Sequence, residues 1–178
     1  MVLDVADVDF SQNHRNSEEA QVGQSIELAD LEVGDYDGIK FGIGLTPAQN
    51  LTGPTDYAAS HPLGNDNNEY WEGWDSYIFA KLEGRQDVDR NGEFDGFTYH
   101  IGFDDLYRSK EFSKAFSITE GGCTALEFNV DVQKMFTDGT DNVDIVNRPV
   151  SHTNVNSPED LANSNLVMDG FANSITLE

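Results

Sequence analysis

Glu69-Tyr70-Trp71-Glu72-Gly73-Trp74-Asp75-Ser76-Tyr77-Ile78-Phe79-Ala80-Lys81-Leu82-Glu83-Gly84, followed after an acidic connection by Phe97-Thr98-Tyr99-His100-Ile101-Gly102, is the stretch on which the fold turns. From Tyr77 to Leu82 and from Phe97 to Ile101, β-branched and aromatic residues alternate with smaller or polar ones, as in strands with one buried face. The spacing predicts a hairpin with a long acidic loop, and both tryptophans of the chain stand at its start. In the second strand Phe97, Tyr99 and Ile101 share one face, and Thr98, His100 and Gly102 share the other. His100 is therefore expected to point away from the apolar set.

Upstream, Ile39, Phe41, Ile43 and Leu45 alternate with Gly38, Lys40, Gly42 and Gly44, a strand whose glycine face admits close approach by another backbone. Val2 to Phe10 reads as a first strand and Ser11 to Gly23, which includes His14, as a polar loop. Ile26, Leu28 and Leu31 lead into a turn at Gly34-Asp35. Thr46 to Asn68 is a long connection rich in Gly, Pro and Asn, expected to carry function or to be loosely ordered. Downstream, Phe116 with Ile118, and Leu126, Phe128, Val130 and Val132, predict further strands, before a turn-rich segment from Asp138 to Pro149. The period then changes. Ser157-Pro158-Glu159-Asp160 is an N-cap, a first-turn proline and first-turn acids in order, and Leu161, Met168, Phe171 and Ile175 fall on one helical face, with Gly170 weakening the pattern. Many short strands and one late helix predict a mainly β fold: an antiparallel β-sandwich of Ig-like or Greek-key type with one C-terminal amphipathic helix. Residues 1–176 read as one domain, and Leu177-Glu178 resembles a vector-derived remnant.

A chain of 178 residues with 38% hydrophobic content can bury a proper core. Ten Lys and Arg against 33 Asp and Glu give a formal net charge of -23, which repels phosphate backbones and anionic lipid. Nucleic acid is therefore excluded as a partner, and no apolar run is long enough for membrane insertion. The lone Cys123, after Gly121-Gly122, cannot form an internal disulfide and reads as a small core residue.

Asp87-Val88-Asp89-Arg90-Asn91-Gly92-Glu93-Phe94-Asp95 fits the first nine positions of an EF-hand loop, with oxygen ligands at Asp87, Asp89, Asn91 and Asp95, a carbonyl from Glu93 and glycine at the sharp turn. The twelfth position is Thr98, which cannot supply the bidentate carboxylate, so Glu93, Asp95 or a neighbour would have to complete a calcium shell. An acidic turn without metal is the competing reading. The imidazoles of His14, His61, His100 and His152 suit copper, but no H-x-H or H-x-x-x-H spacing groups them, so any site must be assembled across the fold. Met135 and Met168 occupy core-like positions. Tyr70, Trp71, Trp74 and Tyr77 read either as packing at a sheet edge or as an aromatic recognition platform. There is no G-x-S-x-G, no recognisable Cys-His motif and no phosphate loop of the G-x-x-x-x-G-K type, so a non-enzyme is expected.

Tyr70-Trp71, Tyr77-Ile78-Phe79-Ala80-Lys81-Leu82-Glu83-Gly84 and Tyr99-His100-Ile101-Gly102 together resemble the MbnP-like family, extracytoplasmic proteins of which some bind copper. Gly34-Asp35-Tyr36-Asp37-Gly38-Ile39-Lys40-Phe41-Gly42-Ile43-Gly44 with the following Asn50 is similar to a strand of that family. Leu126 to Val132 with Phe136, then His152 and a closing helix, keep the family's order. The resemblance spans roughly residues 24 to 175. It implies a periplasmic or cell-surface address, with an export signal removed from the sequence in hand. It also implies a copper site in which a tryptophan, here Trp71, is oxidised to kynurenine by a di-haem, MauG-like oxidase and joins histidines, here His100. The family's local ligand two residues beyond that tryptophan is replaced by Gly73, and His61 is the candidate substitute. Copper handling is the leading expectation; a calcium-stabilised carbohydrate- or protein-recognition module is the alternative.

Overall fold

A computed structural model describes residues 5–8, 23–87, 89–137 and 140–178. The first strand read over Val2 to Phe10 and the loop with His14 lie largely outside these residues; residues 5–8 themselves carry no strand. In chain order the elements are β1 (Gly34–Tyr36), β2 (Ile39–Ile43), α1 (Pro47–Asn50), β3 (Tyr70–Trp71), β4 (Ser76–Gln86), β5 (Asp95–Gly102), β6 (Arg108–Phe112), β7 (Phe116–Ile118), β8 (Phe128–Val130), β9 (Val150–His152), α2 (Pro158–Ser174) and β10 (Ile175–Leu177). The fold is mainly β with antiparallel sheets, a sandwich closed by one long C-terminal helix, as the patterning predicts.

The central sheet has the order β3-β4-β5-β9. The β4–β5 hairpin is antiparallel, Lys81 lying opposite His100 and Leu82 opposite Tyr99, whereas β9 joins β5 in parallel, with His152 level with His100. Pairs β1–β7, β2–β6 and β8–β10 form three further antiparallel sheets. A register shift between Ile78 and Ala80 acts as a β-bulge. An inserted residue reverses which alternate side chains face inward. Before it, Tyr77 reaches a small core with Leu45 and Leu63; beyond it, Ala80 enters the main core with Tyr99, Ile101, Leu106, Val167 and Met168, and Phe79 packs against both.

Several sequence expectations are met at the level of single elements. Ser157 caps α2 by accepting the Asp160 N–H, and Pro158 stands in its first turn. Met135 and Met168 are buried. Gly38 leaves room for a neighbouring backbone, since a Cβ there would lie 2.3 Å from the Phe112 carbonyl oxygen, while Gly42 and Gly44 instead make way for the rings of Tyr107 and Phe79. The connection Thr46 to Asn68 is organised at its start by a capping box between Thr46 and Gln49 at the N-terminus of α1.

Others are corrected. The strand read over Leu126 to Val132 contracts to Phe128–Val130, because Asp131 caps a 3-10 turn that begins at Val132. Ile175 belongs to β10 rather than to the helix face. Ile26 and Leu28 are exposed and lie outside any strand. Cys123 is an exposed free thiol, because its glycine-rich turn lies outside the sheets, and not a core residue. Apart from these corrections, Leu177 pairs with Phe128, and the Glu178 N–H donates to the Glu127 carbonyl at 3.0 Å. No helix among the described residues is long and apolar enough to cross a membrane.

Candidate metal and aromatic site

The site begins at the root of the hairpin. Trp71, paired with Ser76, leads into a tight turn in which the Trp74 N–H donates to the Trp71 carbonyl at 3.0 Å and Asp75 adopts φ 53°. That turn folds the two indoles together, with centroids 4.6 Å apart and planes 21° from parallel. Gly73 sits at the Trp71 ring, where a Cβ would lie 3.1 Å from Nε1. Trp74 lies over Gly102, where a Cβ would meet its six-membered ring at 3.2 Å, and packs beside Phe103 at 5.2 Å. A Cβ at Gly102 would first meet the Tyr77 carbonyl oxygen of the neighbouring strand, at 2.6 Å, so the glycine admits both that backbone and the Trp74 ring.

Asn50 anchors this root. Its Nδ2 donates to Ser76 Oγ at 3.1 Å and to Asp104 Oδ1 at 2.9 Å, and its Oδ1 accepts the Tyr77 N–H at 3.0 Å. The Phe103 N–H in turn donates to Ser76 Oγ at 3.2 Å. One buried amide thus ties α1, the start of β4 and the turn after β5.

The histidines arrive from two neighbouring strands. Parallel pairing of β5 with β9 puts His100 and His152 at the same level, and their rings stack with centroids 5.0 Å apart and planes 4° from parallel. Trp71 stands edge-on to both, at 4.7 Å from His152 and 6.0 Å from His100. The Thr153 N–H donates to the His100 carbonyl at 3.2 Å and its hydroxyl shares a hydrogen bond with Ser164 of α2, which locks β9 between sheet and helix. His100 Nε2 lies 2.7 Å from Glu83 Oε1, whereas its Nδ1 is buried with no hydrogen-bond partner. The His152 residue keeps an exposed edge, but packing of its ring lowers its pKa from the ordinary histidine value, with the nearby His100 charge as the second cause.

The structure therefore brings Trp71, Trp74 and His100 together and adds His152. His61 stays apart. Its Nδ1 accepts the Leu63 N–H at 3.0 Å and its ring stacks on Tyr57 at 4.5 Å; no ring contact or hydrogen bond joins it to Trp71 or to the histidine pair. Tyr70 donates to Asp75 Oδ1 at 2.6 Å, and that bond, followed by burial and the carboxylate's charge, pushes its pKa up to about 12. Tyr77 is 1% exposed and donates to the Leu63 carbonyl, so it is a core residue and offers no platform surface. His152 stood outside the predicted site because a three-residue strand carries no readable period; only the parallel register reveals its neighbour.

The acidic connection turns tightly. Asp87 accepts the N–H groups of Asn91 and Gly92 at 3.1 Å each, Asn91 Oδ1 accepts the Glu93 N–H at 2.7 Å, and Gly92 adopts φ 86°. Asp89 accepts from Asn91 at 2.9 Å, and Asp95 opens β5. Among the described residues no three His, Cys, Asp or Glu side chains gather around a common point.

Fold and site together define a mainly β protein with a paired-histidine, paired-tryptophan cluster at one end of its central hairpin. The chain belongs to the MbnP family, whose family model matches residues 2–157. Comparison with curated proteins and with solved structures returned no match.

Proposed function

We propose that this is an extracytoplasmic, non-catalytic copper-handling protein that holds one copper ion with His100 and His152 beside Trp71. The observation that carries the reading is the buried Nδ1 of His100, which has no partner, with the His152 imidazole level with it on the neighbouring strand; the two parallel rings would have to turn for their in-plane lone pairs to meet one ion. A buried polar atom without a hydrogen bond is costly and calls for a partner from outside the chain. Imidazole is a good donor for copper, and reduced copper accepts sites with few ligands. The donor set is poor for structural zinc, which takes four ligands, commonly thiolates. Bound copper would supply a reversible one-electron centre or a stored ion. The chain's own residues supply two nitrogen donors, an aromatic wall and partial exclusion of water.

Membership of the MbnP family supports the extracytoplasmic address and the copper reading. Mutual stacking of Trp71 and Trp74, and their edge contacts to histidine, favour a site wall over a free recognition platform. A secondary calcium role for Asp87 to Asp95 is supported by the turn that Gly92 makes and by the inward-turned Asp87. The test is a competition titration of reduced copper against a chromophoric chelator. One equivalent should bind to the wild-type protein, and His100→Ala and His152→Ala should each lose at least tenfold in affinity. Binding that survives both substitutions would sink the proposed site, and copper taken up only after incubation with a di-haem oxidase would show that Trp71 must first be modified.

A further inference from the structure

We infer that Glu83 is a positioning residue for His100, fixing the imidazole in the tautomer whose Nδ1 is free to bind an ion. The role given to Nδ1 rests on the copper reading above; the fixing of the tautomer does not. An ionised carboxylate only accepts hydrogen bonds, so the short contact from His100 Nε2 to Glu83 Oε1, 2.7 Å, places the proton of the neutral ring on Nε2. Nδ1 then carries a lone pair. It is buried and finds no donor, which makes the preference one-sided: the opposite tautomer would set two acceptors against each other and bury an unpaired N–H.

The cross-strand arrangement directs Glu83 to this task. Lys81 is the residue directly opposite His100, but its ammonium is drawn to Glu69 Oε1 at 2.8 Å. Glu83, opposite Thr98, reaches His100 on the diagonal. Glu83 is 60% exposed, so its charge is well screened and the direction of the hydrogen bond is what matters. A ligating histidine whose other nitrogen donates to a carboxylate is the usual arrangement around metals, and loss of such a partner typically lowers affinity about 10- to 100-fold.

Long-range proton–nitrogen correlation spectra of metal-free protein at pH 8 would read the tautomer directly. Wild-type His100 should be the Nε2–H form; Glu83→Ala should mix the tautomers, and Glu83→Gln, whose amide can either accept from Nε2–H or donate to a bare Nε2, should fall between the two. In the copper titration, Glu83→Ala should lose about 10- to 100-fold in affinity and Glu83→Gln clearly less. An unchanged tautomer in Glu83→Ala overturns the inference whatever copper does. A shifted tautomer with unchanged copper affinity overturns the link from Glu83 to the ion. A wild-type protein that takes up no copper, either as isolated or after incubation with a di-haem oxidase, but shows the shift would instead remove the copper reading and leave the orientation of His100 standing.

Discussion

Asn50 makes its hydrogen bonds to three residues on two separate pieces of chain, Ser76 and Tyr77 on one and Asp104 on the other, from a position only 8% exposed. Asn50→Ala leaves buried partners without hydrogen bonds, each costing about 1–3 kcal/mol, so a loss of about 3 kcal/mol is expected in chemical denaturation followed by tryptophan fluorescence. Asn50→Asp should not recover the loss, because a carboxylate cannot donate to Asp104 and adds a like charge beside it. His152 makes a second residue-level prediction. Its pKa is lowered in the folded state, so as pH falls through the ordinary histidine range the unfolded chain takes up the proton first. Stability is thus favoured by a neutral ring above pH 6.5 and declines as pH drops toward the depressed folded value. The difference in unfolding free energy between wild type and His152→Asn, measured from pH 8 to pH 5, should change in that direction; a flat difference would contradict it. The facing of His100 was legible in the sequence, because alternation fixes sides. Its partner was not, since no local pattern says which distant strand will lie alongside.

The elements that sequence reading missed share a physical reason. β6, Arg108-Ser109-Lys110-Glu111-Phe112, is mostly charged or polar, and it is a strand because β2 offers it a complete ladder from Ile39 to Ile43. β9 is three residues long and held by its parallel partner and by Thr153. Tertiary pairing, not propensity, decides both. The β4–β5 hairpin was legible because its alternation is long, although the bulge at Phe79 could not be read without a partner strand. In α2 the cap was legible, but the buried face includes Ser164, Gly170 and Ser174 as well as Val167 and Met168, which weakens the apolar stripe. Gly170 is small there for a reason: a Cβ would lie 2.7 Å from the Lys134 carbonyl oxygen and 2.8 Å from that of Met135. In an open helix Gly→Ala would stabilise by about 1 kcal/mol. Here overpacking of about 1–3 kcal/mol should outweigh that gain. Gly170→Ala is therefore expected to lower the denaturation midpoint, and a raised midpoint would mean that α2 can move off the 3-10 turn Val132–Phe136 at little cost.

At the scale of the molecule the charge dominates. Ten basic residues face 33 acidic ones, and several of the basic ones are already paired: Lys81 with Glu69, Arg108 with Asp169, Lys134 with Asp131, and Arg148 with Glu159 and Asp160. The surplus acids repel one another in the compact state more than in the expanded chain. Sodium chloride shortens the screening length from about 30 Å at 0.01 M to about 10 Å at 0.1 M, so it should raise the thermal midpoint steeply over that range and little beyond it. Calcium separates general screening from a built loop. At matched ionic strength, magnesium and calcium screen alike, but an oxygen-rich flexible turn prefers the larger ion. Calcium at a few millimolar should accordingly raise the midpoint beyond magnesium, as mass action requires of a ligand that binds only the folded chain. The paired substitution Asp87→Asn and Asp89→Asn should erase that difference while leaving the sodium chloride response in place, because it removes two of many charges but both inward-turned carboxylates of the turn. Equal midpoints in the two divalent ions would make Asp87 to Asp95 an acidic turn held by its own side-chain-to-backbone hydrogen bonds, and would leave the histidine pair as the metal site to pursue.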